Sequence, residues 1–358
     1  MNHMFDTDFY KGKRVLVTGH TGFKGAWLCK ILVNMGAKVI GYSLEPPTSP
    51  SLYEIAEIGK RIKSITGDVR NYEVLKQVFD ETRPDIVFHL AAQSIVSNGY
   101  KNPRGTYETN VMGTVNILEC VRNCSWVRSV IIVTTDKVYL NKEWNWGYRE
   151  NEELNGHDPY SNSKSCAELA TGCYKNSFFY RTGNSCATSI STVRAGNVIG
   201  GGDFAPNRII PDCIRAAVTG RSLEVRNPHS TRPYQHVLEP LFAYLMIAAA
   251  QYNDNHLAGS YNVGPDEKDC ICTAELADLF ARYWGEDFQW VNKSDQSGQF
   301  HEANSLKLDC AKLKAVFGWK PHWNIETAIE KTVEWEKYRI KKYNVGNCMD
   351  EQIREYLI

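Results

Sequence analysis

The stretch VLVTGHTGFKGAWL, residues 15–28, restricts the fold more than any other part of this chain. Residues 13–19, KRVLVTG, make a short run rich in Val, the character of a parallel strand covered on both faces. Residues 23–36 then carry apolar side chains at helical spacing and stop at Gly36. Around that junction Gly19, Gly22 and Gly25 fall at G-x-x-G-x-x-G spacing. Glycines there let the backbone turn tightly and approach a pyrophosphate, which rests on the N-terminus of the helix. A Gly triplet alone is a weak signal, because Gly is common in turns. Here the strand before it and the helix after it supply the context that a dinucleotide site demands.

The pattern continues as alternation. Strands are expected at 37–43 (AKVIGYS), 61–69 (RIKSITGDV), 85–91 (DIVFHLA), 128–135 (RSVIIVTT) and 186–195 (CATSISTVRA), with helices at 72–83, about 103–123 and 158–180. Strands alternating with helices mean right-handed βαβ units. Beyond 195 regularity fades into a Gly-rich loop, GNVIGGGDFAPNR, and a polar, Pro-broken stretch, NPHSTRPYQHV. Helices at about 238–251, 273–284 and 324–342 and a strand-like SYNVG at 260–264 follow. The fold class is α/β: a Rossmann-type doubly wound parallel sheet with a smaller C-terminal α/β substrate domain. The expected division gives 1–190 plus about 235–260 to the dinucleotide-binding domain and 191–234 plus about 261–358 to the substrate domain.

Basic and acidic residues balance at 41 each, which argues against a nucleic-acid or membrane-surface partner but leaves room for a small anionic ligand held by local Arg residues. The N-terminus has no signal-peptide pattern, and no stretch approaches the roughly 20 apolar residues of a membrane span. The eleven cysteines are odd in number and irregular in spacing, without Cys-x-x-Cys, and the nine His residues are scattered. That pattern fits reduced thiols in a cytoplasmic protein better than a zinc site, so no metal is expected.

Cofactor contacts are expected from Gly19, Thr21, Gly22, Phe23 and Gly25 of the first turn. An acid some 20 residues on normally holds the adenosine ribose. Ser43 stands there instead, with Glu45 just beyond and no Arg to hold a 2′-phosphate, which favours NAD over NADP. Asp68 and Val69 end the third strand; Asp68 either meets the adenine or is a plain turn residue. HLAAQ ends the fourth strand, where Leu90 and the small Ala91 and Ala92 let a cofactor lie against the backbone. His20 and Lys24 are unusual in such a loop and either touch the pyrophosphate or face solvent.

Ligands in such sheets bind beyond the carboxyl ends of the strands. The fifth strand ends there in Thr134, Thr135, Asp136 and Lys137, two hydroxyls, an acid and a base where an ordinary turn would have Gly, Asn or Pro. Downstream, Tyr160 and Lys164 lie at i and i+4 on one helix face. A charged Lys beside a phenol lowers its pKa and makes it a credible base for a sugar hydroxyl. Tyr-x-x-x-Lys also occurs at Tyr72/Lys76 and Tyr338/Lys342, both read as solvated helix faces. Only Tyr160/Lys164 opens the helix after the fifth strand.

TGHTGFKG, HLAAQ, TTDKVY, YSNSK, RAGNVIGGGD and YNVG occur here in that order. Over nearly its whole length the chain resembles the extended short-chain dehydrogenase/reductase superfamily, also called the NAD-dependent epimerase/dehydratase superfamily. The resemblance implies a Rossmann domain carrying a sugar-nucleotide domain, with NAD bound by the first turn and by Tyr160 and Lys164. Its Ser/Thr–Tyr–Lys triad maps onto Thr135, Tyr160 and Lys164. In the superfamily's 4-epimerases the residues after the catalytic hydroxyl are usually small and apolar. In its nucleotide-sugar 4,6-dehydratases they are Asp and Glu, the acid for the leaving C6 hydroxyl and the base for the C5 proton. Asp136 matches, and Lys137 departs. That departure resembles the branch acting on CDP-glucose, and the long loops around 194–212 and 227–241 look like the same branch. Lys137 then either serves as the base or stays charged and stabilises the enolate oxygen. Gln93, Thr135, Asn197, Arg208 and Arg232 are implied substrate contacts, Arg232 as a fork of donors for the diphosphate. Arg208 reads equally as a surface residue, and His236 as a turn or helix-cap residue. The resemblance further implies a homodimer or homotetramer and a place on a route to deoxysugars of surface polysaccharide such as lipopolysaccharide O-antigen. The competing readings are a 4-epimerase, a 4,6-dehydratase for another sugar nucleotide, and an NAD(P)-sensing regulator. Asp136 opposes simple epimerisation, and retention of both Tyr and Lys opposes the regulator.

Overall fold

In the computed structural model the described residues are 6–180, 188–285, 288–293 and 305–358. The Val-rich runs form the centre of a seven-stranded sheet: β1 (Arg14–Thr18), β2 (Lys38–Ser43), β3 (Lys63–Thr66), β4 (Ile86–His89), β5 (Ser129–Val133), β6 (Ser189–Ala195) and β7 (Ser260–Val263). Their spatial order is β7-β6-β5-β4-β1-β2-β3, and every pairing is parallel. The order reverses between β1 and β4, so the crevice at that switch point opens beyond the strand ends. β4, β5 and β6 are buried along their whole length, as covered parallel strands must be. Cys186 and Ala187 of the expected sixth strand lie outside the described residues.

Helices cover both faces: α1 (Phe23–Asn34), α2 (Tyr72–Thr82), α3 (Gly113–Arg122) and α4 (Pro159–Tyr174). The expected helix at 103–123 is present as Pro103–Tyr107, a π-turn at Glu108–Met112 and α3. α4 starts where a sequence reading puts it. Asp158 caps it by accepting from the Tyr160 and Ser161 amides, and Pro159 takes its first position.

A second core is built from α5 (Ile209–Thr219), α7 (Thr273–Trp284) and α8 (Ile325–Ile340), around Ile210, Cys213, Leu276, Phe280 and Ile329. Between α5 and α7 the chain returns to the sheet. α6 (Leu238–Asn253) packs on β5 and β6, where Ser129 donates to the Ala248 carbonyl and Gln251 to Ser129 and Val130. β7 then adds the seventh strand. A last helix, α9 (Val345–Tyr356), is tied back to α1 through Lys30–Asp350 at 2.7 Å. Among the described residues no helix is long and apolar enough to cross a membrane.

Candidate active site

The first turn is shaped for close approach. Gly19 has φ +75°, and a Cβ on it would lie 2.8 Å from the Ala91 amide nitrogen. A Cβ on Gly25 would stand 2.1 Å from the Gly19 carbonyl oxygen, so α1 can only pack this tightly against the loop with Gly there. Gly22 is the N-cap of α1 and offers no side-chain cap, leaving first-turn amides for an anion. Phe23 lies against the Gly200 backbone. Leu90 and Ala91 donate to the Thr18 carbonyl and hydroxyl, which holds the HLAAQ segment, Ala92 included, beside the glycine loop. Thr21 bonds Ser43 at 2.9 Å and the Leu44 carbonyl at 3.0 Å. The end of β2 thus presents a hydroxyl, as its sequence implies. Val69 is buried, and the Asp68 carboxylate accepts from the Arg70 guanidinium through both oxygens, which holds it below the usual carboxylate range. These residues fit a dinucleotide: a cradle that a Cβ would fill, and uncapped helix amides above it.

Two expectations about the glycine loop change. His20 touches neither solvent nor the cradle mouth. It is fully buried beneath Gly41, where a Cβ would come within 2.4 Å of the imidazole, and it bonds Ser64 at 2.8 Å. Burial lowers it to about 4, so it is neutral. Lys24 is half-buried rather than solvent-facing, and its charge interacts with those of Lys164, Asp136, Asp203 and Arg208. Burial lowers it to about 8, with Arg208 and Lys164 pushing the same way and Asp136 and Asp203 opposing.

At the end of β5 the chain makes a single turn of 3₁₀ helix at Asp136–Val138, with Thr135 at its N-cap. The Thr135 hydroxyl donates to Asp136 Oδ1 at 2.9 Å and shares a side-chain hydrogen bond with Tyr160. Asp136 is 1% exposed, and among the described residues its Oδ2 has no partner. Lys137 Nζ lies 3.5 Å from Asp136 Oδ1 and 3.5 Å from Asn197 Oδ1, with the side chain partly exposed. Lys164 is buried and donates to the Val133 carbonyl at 3.0 Å. Burial lowers it to about 8, against the opposing charge of Glu168. The expectation that Tyr160 is lowered does not hold for the protein alone. Burial pushes the phenol up to about 12, only partly offset by the Thr135 hydrogen bond.

Thr135, Asp136, Lys137, Tyr160, Lys164 and Asn197 therefore converge. The remaining substrate candidates are engaged within the protein. Gln93 donates its amide to Thr106 and accepts from the Ile95 N–H. Arg208 pairs with the buried Asp203 at 2.9 Å and reaches Ser94 at 3.3 Å. Arg232 is buried on a two-residue strand, Thr231–Arg232, paired antiparallel with Ile271–Cys272, and donates to the Thr231 carbonyl. His236 accepts from the Leu238 N–H at the start of α6, a helix-cap role. A pattern reading of the motifs passes over Glu168 and Arg194, which form a buried ion pair at 2.8 Å directly behind the turn. The signal was present, an acid four residues after Lys164 and an Arg inside a buried strand.

The glycine cradle at the switch point and the Thr–Asp–Lys/Tyr–Lys cluster beside it define a nucleotide-binding α/β enzyme. The chain belongs to the family described as GDP-mannose 4,6 dehydratase, which matches residues 16–332. It is 44% identical over 356 residues to the CDP-glucose 4,6-dehydratase of Salmonella typhimurium, with 99% of each chain covered. Among solved structures it resembles dTDP-glucose 4,6-dehydratase from Bacillus anthracis in complex with NAD, with TM-score 0.75 and 22% identity over 93% of this chain and 99% of that one. It also resembles a UDP-glucose-4-epimerase from Stenotrophomonas maltophila with bound NAD, with TM-score 0.80 and 19% identity over 92% and 99%.

Proposed function

We propose that this chain is a hydro-lyase that converts CDP-glucose to CDP-4-keto-6-deoxyglucose with NAD as a resident cofactor. The observation that carries the reading is Asp136: a buried carboxyl with one oxygen bonded to Thr135 and the other without a partner among the described residues, beside the Tyr160–Lys164 pair. Simple epimerisation has no use for such an acid. Gly19, Thr21, Gly22, Phe23, Gly25, Ser43, Asp68, Val69, Leu90, Ala91 and Ala92 would hold NAD, which when bound would supply a hydride acceptor for C4 and a hydride donor for C6. Tyr160 takes the proton of the C4 hydroxyl, with Thr135 sharing its hydrogen bond and Lys164 supplying positive charge. A C4 ketone makes the C5 hydrogen acidic. Asp136 protonates the departing C6 oxygen, and water is lost across C5–C6; return of hydride to C6 is matched by return of a proton to C5. Lys137 holds the base position and either takes the C5 proton as a neutral amine or steadies the enolate oxygen as an ammonium, with another group or water taking the proton. Asn197, Arg208, Arg232 and Gln93 bind the sugar nucleotide, Arg208 exchanging Asp203 for the ligand.

The CDP selectivity is supported by the similarity to the Salmonella relative and by Lys137 in place of the Glu usual in 4,6-dehydratases. The domain division of the sequence reading is retained as part of the proposal, with the sheet extended through Val263. We further place the protein in the cytoplasm, on a route to deoxysugars of surface polysaccharide, as a homodimer or homotetramer. In support, the ten described cysteines are free thiols, and Met112 and Leu169 on the helical face are about half exposed.

Replacing Asp136 by Asn tests the reading. C4 oxidation does not need the acid, so bound NADH accumulates with CDP-glucose while release of 6-deoxy product falls about 100-fold or more. Product at close to the wild-type rate removes Asp136 from the role of acid.

A further inference from the structure

Glu168 is among the most heavily engaged side chains behind the catalytic turn, and no step above uses it. It stands one helical turn after Lys164 on α4 and is almost fully buried. Its Oε1 accepts from the Thr134 hydroxyl at 2.5 Å. Its Oε2 accepts from the Thr192 hydroxyl at 2.7 Å and from the Arg194 guanidinium at 2.8 Å. Arg194 is fixed in turn by the Tyr139 hydroxyl at 2.8 Å and the Glu150 carbonyl at 3.0 Å. A buried carboxylate is costly unless paired and hydrogen-bonded. Burial pushes Glu168 up, but the Arg194 charge and the hydrogen bonds from Arg194, Thr134 and Thr192 outweigh it and hold the carboxyl below its ordinary range. It is therefore an anion.

Two adjacent side chains on one face of α4 thus clasp the end of β5. Lys164 takes the Val133 carbonyl, and Glu168 takes the Thr134 hydroxyl, one residue before Thr135. We propose that Glu168 is a positioning residue for the catalytic face: anchored on Arg194, it registers the Thr134–Thr135 turn against the helix that carries Tyr160, and it supplies the negative charge behind Lys164. The surroundings leave that second task to it. Among the described residues, the other titratable groups interacting with Lys164 are Lys24 from α1, which repels it, and His89 from β4, which burial lowers to about 3 and keeps neutral. Glu168 is the charge that opposes burial at Lys164.

The two tasks separate experimentally. In protein labelled with 13Cε-lysine, the Lys164 resonance is assigned by its loss in Lys164→Met and titrated by NMR without substrate. In Glu168→Gln its midpoint falls by about one pH unit, and Glu168→Asp restores it toward the wild-type position. An unmoved midpoint in the Gln variant overturns the electrostatic role. Thr134→Val keeps the charge and cuts the tether, and it also serves if the Gln variant does not fold. There the single-turnover rate of NADH formation with CDP-glucose drops tenfold or more at unchanged KM, while the Lys164 midpoint stays in place. An unchanged rate overturns the positioning role. This arm rests on the dehydratase reading, whose own failure shows as no NADH signal in the wild type; the titration stands apart from it.

Discussion

Tyr160 and Lys164 share one face of α4, and burial moves them in opposite directions, the phenol up to about 12 and the ammonium down to about 8. Both shifts favour neutral groups, so the phenol becomes a working base only when charge or hydrogen bonds at the site oppose burial. Tyr160→Phe keeps the ring and removes the proton relay. Turnover is expected to fall by about 100-fold to 10,000-fold with substrate affinity nearly unchanged, measured by steady-state kinetics and by calorimetric binding of CDP-glucose. Near-normal turnover removes Tyr160 from the role of base. Lys137→Met is expected to leave C4 oxidation intact and stop exchange of the C5 hydrogen with deuterated solvent. Exchange that continues at near the wild-type rate in that variant removes Lys137 from the role of obligatory base. At this scale the triad was legible because helix position selected Tyr160 over two decoy pairs. His20 was not legible. Its place under Gly41 depends on a neighbouring strand, which spacing within one loop cannot reveal.

The elements carry one pH-sensitive joint of their own. Glu239 in the first turn of α6 accepts from the His322 and Trp323 amides and from the Tyr356 hydroxyl of α9. Burial pushes its carboxyl up to about 7, against those hydrogen bonds, which pull it down. A carboxyl raised in the folded state binds its proton more tightly there than when unfolded. Its contribution is full below its ordinary value near 4.5 and is lost as pH rises toward 7. Relative to Glu239→Gln, the wild type should lose about 3 kcal/mol across that window, read from urea unfolding at a series of pH values. Parallel profiles for the two proteins contradict this. Most of the regular elements were legible, since covered parallel strands and capped helices have local signatures. α5 and α9 were passed over. Pro211 in the first turn of α5 resembles a loop breaker when read alone, although a helix tolerates Pro there. α9 owes much of its place to Lys30–Asp350 and Tyr356–Glu239, contacts over 100 residues apart in sequence.

For the whole molecule, strand order places the chemistry. β1 and β4 bring the glycine loop and HLAAQ together, and β5 beside β4 delivers Thr135–Lys137 to the same edge. Alternation in the sequence gives the parallel sheet and the fading of regularity gives the crossing back, but not the strand order, because sequence order is silent on which strand pairs with which. A 4,6-dehydratase must oxidise C4, expel water across C5–C6 and return the same hydrogen to C6. Incubation with CDP-glucose carrying deuterium at C4, followed by mass spectrometry and NMR of the nucleotide sugar, tests all three steps at once. The expected product is lighter by one water, with the deuterium in the C6 methyl group. A product of unchanged mass with inverted C4, or recovery of CDP-glucose untouched, would contradict it.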